Sequence, residues 1–138
     1  MQPTKLDSPY DTLGGRAAVL ALTEAFYDRM EQREPALAAL HPTDEHGRIT
    51  RRTRDRFGLF LVAWLGGPQE YMQRFGHPRL RLRHGRVPID IAMRDAWLRC
   101  MHAALDDHEL HGTVRGFLDQ RFAEVADFLR NQPEQAAD

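Results

Sequence analysis

The sequence predicts an all-α protein with four principal helices and several short ones. Apolar residues recur at helical spacing in four long stretches, and no convincing strand pattern is present. Glycine and proline separate most of these stretches. At 138 residues the chain is long enough for one domain with a substantial core. We place that domain at residues 10–131, with a flexible N-terminal extension at 1–9 and a disordered tail at 132–138.

The first part of the chain predicts a short helix, a long helix and a second short helix. Gly14-Gly15 interrupts the first, because adjacent glycines are costly inside a helix. From Arg16 to Glu31 one apolar stripe is formed by Val19, Leu22, Phe26 and Met30. Pro35 then opens a helical turn, PALAAL, which ends at His41-Pro42 because a residue before proline avoids helical angles.

The second long helix is expected to begin at Ile49 or Thr50 and to stop at Gly66-Gly67-Pro68. One face carries Thr53, Phe57, Phe60, Leu61 and Trp64. Arginines crowd the same segment at Arg48, Arg51, Arg52, Arg54 and Arg56, and we interpret them as a solvated face. A short helix over PQEYMQRF then leads to Gly76.

Two further long helices are predicted after a break that contains Pro88. The stripe of the first is Met93, Trp97, Cys100, Met101 and Ala104. An acidic turn at Asp106-Asp107 separates it from the last helix, whose broad apolar side is Leu110, Val114, Phe117, Leu118, Val125, Phe128 and Leu129. The polar tail from Asn131 is expected to fray.

Composition excludes several classes of function. The net charge of −1, with acids and bases interspersed, argues against a general nucleic-acid binder. Cys100 is the single cysteine, so neither an intrachain disulfide nor a cysteine-based zinc site can be complete. No apolar run reaches the length of a membrane span, and the N-terminus lacks a signal-peptide core. We therefore expect a cytoplasmic protein with neither a membrane nor a nucleic-acid partner.

Five motifs occur in a characteristic order along the chain. They are the Gly14-Gly15 junction, FYDRM around Tyr27, GGPQEY, GHPRLRLRH ending at His84, and RDAWLRCM containing Trp97. Because the five motifs occur in this order and at this spacing, the chain resembles the group II truncated haemoglobins, small globins with a two-over-two helical sandwich. The resemblance covers roughly Tyr10 to Leu129. It implies a globin-like fold around haem b, an iron-bound proximal histidine and a polar distal pocket.

The resemblance also implies roles for individual residues. His84 matches the proximal iron ligand, and Tyr27 and Trp97 match polar distal residues. His41, before Pro42, matches a pocket position that the family fills with histidine or an aromatic residue. The distal-helix positions that face the iron match Thr53 and Phe57, so threonine stands where many globins carry histidine. Further cofactor contacts are expected at Phe60, Leu61, His77, Leu80, Arg83, Arg86, Ile89 and Met101, with Arg83 as a partner for a haem propionate.

Each assignment has a structural alternative. Among seven histidines, His77 is the rival of His84, although its place before a proline favours a turn or a propionate contact. Trp97 could be core, but its buried N–H would then need an acceptor. His41 could cap a helix or face solvent. An apolar shell of Leu80, Leu82, Val87 and Ile89 around His84 favours a haem site.

Three classes of function remain open on the sequence. The first is a haem protein, monomer or homodimer, that binds dioxygen and other diatomic ligands. The second is a redox enzyme that detoxifies nitric oxide, peroxide or reactive nitrogen species at the same haem, with an unidentified reductase as partner. The third is a cofactor-free helical binding domain, which the GHPRLRLRH and RDAWLRCM motifs disfavour.

Overall fold

The computed structural model describes residues 8–80, 84, 85 and 87–131, and seven α-helices can be bounded within these ranges. They are α1 Pro9–Leu13, α2 Arg16–Arg33, α3 Pro35–Ala38, α4 Arg51–Trp64, α5 Glu70–Phe75, α6 Ile91–Asp107 and α7 Gly112–Leu129. The prediction of four long helices with several short ones is confirmed. Over the described ranges, β structure is confined to one isolated bridge between Thr43 and Ile49.

The four long helices pack in a continuous series of contacts. Helix α2 packs against both α4 and α6, and α6 packs against α7. The predicted stripe of α2 is buried at this junction, with Val19, Leu22 and Met30 fully excluded from solvent. Cys100 of α6 is buried in the same core, and burial raises the pKa of its thiol to about 11. The thiol therefore behaves as a small apolar side chain, as expected.

Local capping sets where the helices begin. The hydroxyl of Thr50 accepts a hydrogen bond from the N–H of Thr53 at 3.2 Å, so α4 begins at Arg51. The carboxylate of Asp90 accepts one from the N–H of Met93 at 2.8 Å and starts α6 in the same way. These two caps place the helices that carry Phe57 and Trp97.

The Gly66-Gly67 pair ends α4 as predicted and allows α1 to dock there. Gly66 has a φ of 102°, which favours glycine. A Cβ atom on Gly67 would lie 2.6 Å from the ring of Tyr10, so this position has no room for a side chain. The N–H of Tyr10 donates to the carbonyl of Leu65 at 3.0 Å, which ties α1 to the end of α4.

Two interpretations of side-chain faces were wrong. Arg54 is only 3% exposed, although the arginine segment was expected to be solvated. In α7, Phe117 and Phe128 are 52% and 51% exposed, whereas Phe122, which the predicted face omitted, is 2% exposed. The buried face follows the i, i+4 positions Leu118, Phe122 and Ala126. Leu110, assigned to this helix, precedes it.

The expected fraying at Asn131 is also wrong, because this residue makes hydrogen bonds through both its backbone and its side chain. Among the described residues, no helix combines the length and hydrophobicity needed to cross a membrane. The predicted roles of Leu82, Arg83 and Arg86 and the two predicted terminal segments, apart from Ser8 and Pro9, lie outside the described residues.

Candidate ligand-binding site

An apolar cavity of about 500 Å³ brings most of the predicted site residues together. This volume is within the range of small-molecule and cofactor sites. The predicted residues on its wall are Tyr27, His41, Thr53, Phe57, Phe60, Leu61, Leu80, His84, Ile89 and Trp97. Residues that are far apart in the sequence therefore meet at one site.

His84 presents one ring nitrogen for coordination. Its Nδ1 lies 2.7 Å from the carbonyl oxygen of Leu80. Since a carbonyl can only accept, Nδ1 carries the proton, and in the neutral ring Nε2 keeps its lone pair. A hydrogen bond from the other ring nitrogen to a carbonyl is what orients a metal-bound imidazole. No cluster of three or more His, Cys, Asp or Glu side chains suited to a metal ion occurs in the described chain, so an iron here would need the other ligands of a haem.

Tyr27 and Trp97 contribute polar atoms to the aromatic part of the cavity. Tyr27 packs against Phe26 and Phe57, with ring centroids 5.0 and 5.8 Å away, and Trp97 packs against Phe26 at 5.3 Å. Burial raises the pKa of the Tyr27 phenol, and the charge of Arg54 opposes this increase only in part. The hydroxyl therefore stays protonated. The phenol O–H and the indole N–H are hence both available as donors.

His41 contributes an acceptor. Its Nδ1 lies 3.0 Å from the carbonyl oxygen of Leu37, so this nitrogen is the donor and Nε2 accepts in the neutral ring. Burial lowers the pKa of His41, and the hydrogen bond to Leu37 offsets that effect only partly. The ring stands edge-on to Tyr27 with the centroids 5.8 Å apart. We call Tyr27, His41, Phe57 and Trp97 the tyrosine wall.

Buried Arg54 supports the tyrosine wall from behind. Its guanidinium donates to Glu24, Asp28 and Glu31 of α2 at 3.0, 2.9 and 2.9 Å. The same group lies 5.6 Å from the centroid of the Tyr27 ring. Burial alone would raise the pKa of Glu31, but the N–H of Ile49 and Arg54 hold it below its usual value. These ion pairs join α4 to α2 directly behind Tyr27.

Arg56 is the cation on the cavity wall whose bonding is incomplete. Its guanidinium stacks on Phe75 at 4.3 Å from the ring centroid, and its buried Nε has no hydrogen-bond partner in the described structure. Arg94 also lines the cavity but is paired with Asp127 and Asp95. Arg56 is therefore better placed to receive an anionic group of a ligand.

Two predicted contact residues are not on the cavity wall. His77 is exposed, and its Nδ1 accepts the N–H of Arg79 at 3.1 Å, which corresponds to the turn role considered for it. Met101 is fully buried in the core between the helices.

The last helix supplies cavity residues that the sequence interpretation did not select. Phe122 and Ala126 of α7 line the cavity, as do Met93 of α6 and Tyr71 of α5. Phe122 packs against Trp64 and Trp97, with centroids 4.9 and 5.8 Å away. The signal was present, because Leu118, Phe122 and Ala126 repeat at a spacing of four residues.

Comparison with known proteins gives consistent matches over nearly the whole chain. The model of the bacterial-like globin family matches residues 8–131. The chain is 37% identical over 128 residues to the group 2 truncated haemoglobin YjbI of Bacillus subtilis, covering 93% of this chain and 92% of that protein. It superposes on the group II truncated haemoglobin of Bacillus anthracis with a TM-score of 0.86 and 32% identity, covering 96% and 98% of the two chains. A truncated oxygen-avid haemoglobin from Bacillus subtilis gives a TM-score of 0.80 at 35% identity, with 91% and 100% covered.

Proposed function

This chain belongs to the bacterial-like globins, among the group II truncated haemoglobins, and it has their haem and their capacity to bind diatomic ligands such as dioxygen; we propose that His84 binds the iron and that the tyrosine wall holds the ligand. The carrying observation is the hydrogen bond from His84 Nδ1 to Leu80, which leaves Nε2 for iron on the wall of an apolar cavity of about 500 Å³. A haem bound there would supply an iron that binds diatomic ligands.

The cofactor is haem b, held without a covalent link. Covalent c-type attachment needs a Cys-x-x-Cys-His segment, and the sequence has a single cysteine, Cys100, which is buried away from the cavity. The guanidinium of Arg56, which lines the cavity, would hold a propionate of this haem. Arg83 and Arg86 remain proposed propionate partners from the sequence.

Three groups on the tyrosine wall act on the bound ligand in different ways. Tyr27 and Trp97 donate hydrogen bonds, and each bond to a charged acceptor contributes about 1.5–3 kcal/mol. His41 keeps Nε2 as an acceptor in its neutral ring, so it adds no third donor to the ligand. Two donors on one ligand favour slow release, and the oxygen avidity of the similar Bacillus subtilis protein supports this expectation.

The second candidate function is a redox enzyme that consumes nitric oxide, peroxide or reactive nitrogen species. His41 is the observation that favours it, since a buried neutral imidazole beside Tyr27 can accept a proton. Such turnover requires an external reductant, and an unidentified reductase is the proposed partner. Sustained consumption of nitric oxide with a reductase would support the enzyme; stoichiometric binding alone would support the carrier.

The assignment of His84 is tested by replacing the ligand. We expect His84→Ala to lose stable haem and the spectrum of a histidine-ligated iron, because the proposed iron ligand is removed. His77→Ala is the matched control from the same segment and should keep the wild-type spectrum. Absorption spectra in the ferric and ferrous states measure both variants. Retention of the normal spectrum in His84→Ala, or its loss in His77→Ala, would refute the assignment.

A further inference from the structure

Asn131 joins the end of α7 to the turn that carries His84 through hydrogen bonds. Its side-chain amide nitrogen donates to the carbonyl oxygens of His84 and Val87 at 3.1 and 2.9 Å. Its side-chain oxygen accepts the N–H of Ile89 at 2.8 Å, and its own N–H donates to the carbonyl of Ile89 at 2.9 Å. These hydrogen bonds all join Asn131 to a segment remote from it in sequence.

The hydrogen bonds of Asn131 complete the turn of His84. The carbonyl of His84 already accepts the N–H of Val87 at 3.0 Å, which closes a turn directly after the histidine. The amide of Asn131 adds a second donor to this carbonyl and satisfies the carbonyl of Val87 as well. Carbonyl groups at the end of a helical turn need such partners. The side chain of Asn131 therefore caps the turn from outside.

The His84 segment runs along the cavity, which Leu80, His84, Val87 and Ile89 line. Between Gly76 and Asp90, none of the described residues is fully buried. The C-terminal half of α7, in contrast, is anchored by Phe122 and Ala126 in the core. Hydrogen bonds from the end of α7 can therefore transfer the rigidity of the core to the segment that carries the ligand.

We propose that Asn131 is a positioning residue for the iron: by holding the His84 carbonyl it sets where Nε2 points and resists loss of the histidine from the metal. The proposal rests on the proposed role of His84. Asn131 is not among the residues that line the cavity, and it acts through the backbone of His84 and Val87. Removing a residue that hydrogen-bonds to a metal ligand commonly changes metal affinity by about ten- to a hundredfold.

Two variants of the haem-loaded protein test this role. Asn131→Ala removes three side-chain bonds and keeps the backbone bond to Ile89. Asn131→Asp has nearly the same shape and keeps the acceptor for the Ile89 N–H, but it turns an anion toward two carbonyl oxygens. Gln120→Ala is the matched control, an exposed amide of α7 whose side chain bonds Glu124.

The readouts are the iron–histidine stretching band of the ferrous, ligand-free protein and the rate of haem transfer to an excess of a haem-accepting apoprotein. We expect both Asn131 variants to shift or broaden the band, and haem loss to be roughly tenfold faster than in wild type. Gln120→Ala should match wild type. A purely structural role would lower stability and leave the band unchanged.

An unchanged band in the Asn131 variants overturns the proposal, including when Asn131→Ala does not fold and only Asn131→Asp can be measured. Failure of the underlying function is distinguishable, because wild-type protein would then show no iron–histidine band, or His84→Ala would retain it.

Discussion

The tyrosine wall and the His84 segment enclose the same cavity but are held by different forces. Behind the tyrosine wall lie the ion pairs of Arg54 and the ring of Phe26, which packs against Phe57 of the wall. The His84 segment is held by hydrogen bonds from side chains to its backbone carbonyls, from the His84 ring to Leu80 and from Asn131 to His84. The comparison indicates that ligand donors are fixed by side-chain packing, whereas the position of the iron ligand depends on a few directional bonds.

Replacing Arg54 should give the largest change, because it removes the central cation of the ion pairs. We expect Arg54→Met to lower the free energy of unfolding by about 3 kcal/mol, since Glu24, Asp28 and Glu31 would be left close together without it. Arg51→Met is the matched control: Arg51 also bonds Glu24 but is exposed, and the cost should stay below about 1 kcal/mol. Chemical denaturation of both variants measures the difference.

The effect of Arg54 also depends on pH in a defined direction. Burial opposes ionisation of Glu24 and Glu31, but the arginines around them hold the pKa of each below the usual 4.5. The stabilisation is therefore present above that value and is lost as pH falls through the lowered pKa. The gap between wild type and Arg54→Met should narrow in acid. Equal costs for Arg54→Met and Arg51→Met at neutral pH would show that the ion pairs do not hold this wall.

Trp97→Phe should have an intermediate effect, confined to the ligand. The ring still packs against Phe26, but one donor is lost, so dioxygen should leave roughly ten- to a hundredfold faster. Trp64→Phe removes an indole N–H from the other tryptophan on the cavity wall and is the control. Stopped-flow release kinetics compare the two. A similar acceleration of dioxygen release in both variants would show that Trp97 has no specific role in holding the ligand.

His41 should give the smallest effect, which appears only when pH is varied. Burial lowers the pKa of His41 below 6.5, so the unfolded chain binds a proton at this residue more readily than the folded protein does. The free energy of unfolding therefore decreases as pH falls from 6.5 through the lowered pKa. His41→Gln should remove that loss, which is at most about 1.4 kcal/mol per pH unit. His46→Gln, at an exposed position, should keep the wild-type dependence. Free energies of unfolding, measured for wild type and both variants across mildly acidic pH, test this prediction.

Sequence periodicity was sufficient where burial follows from local spacing. The stripe of α2, the end of α4 at Gly66-Gly67 and the all-α fold could all be predicted from patterns within about fifteen residues. The resemblance to truncated haemoglobins selected Tyr27, His84 and Trp97, and the structure brings these three to one cavity.

The remaining features depend on partners distant in the sequence. Arg54 is buried because three carboxylates of α2 face it, and no pattern within α4 distinguishes it from the exposed Arg51. Phe122 was missed because neighbouring apolar pairs in α7 allow more than one helical face. Asn131 is one polar residue after a helix, and its role depends on carbonyl groups more than forty residues earlier.

The hydrogen bond from His84 to Leu80 also determines when the imidazole loses its rotational freedom. Turning the ring over would exchange Nδ1 for a carbon atom and forfeit the bond. Immobilising a freely rotating side chain at a binding site costs about 0.5–1.5 kcal/mol of entropy. Because this ring is already restrained by its own turn, its rotational entropy is lost during folding. The same entropy is not lost a second time when the cofactor binds.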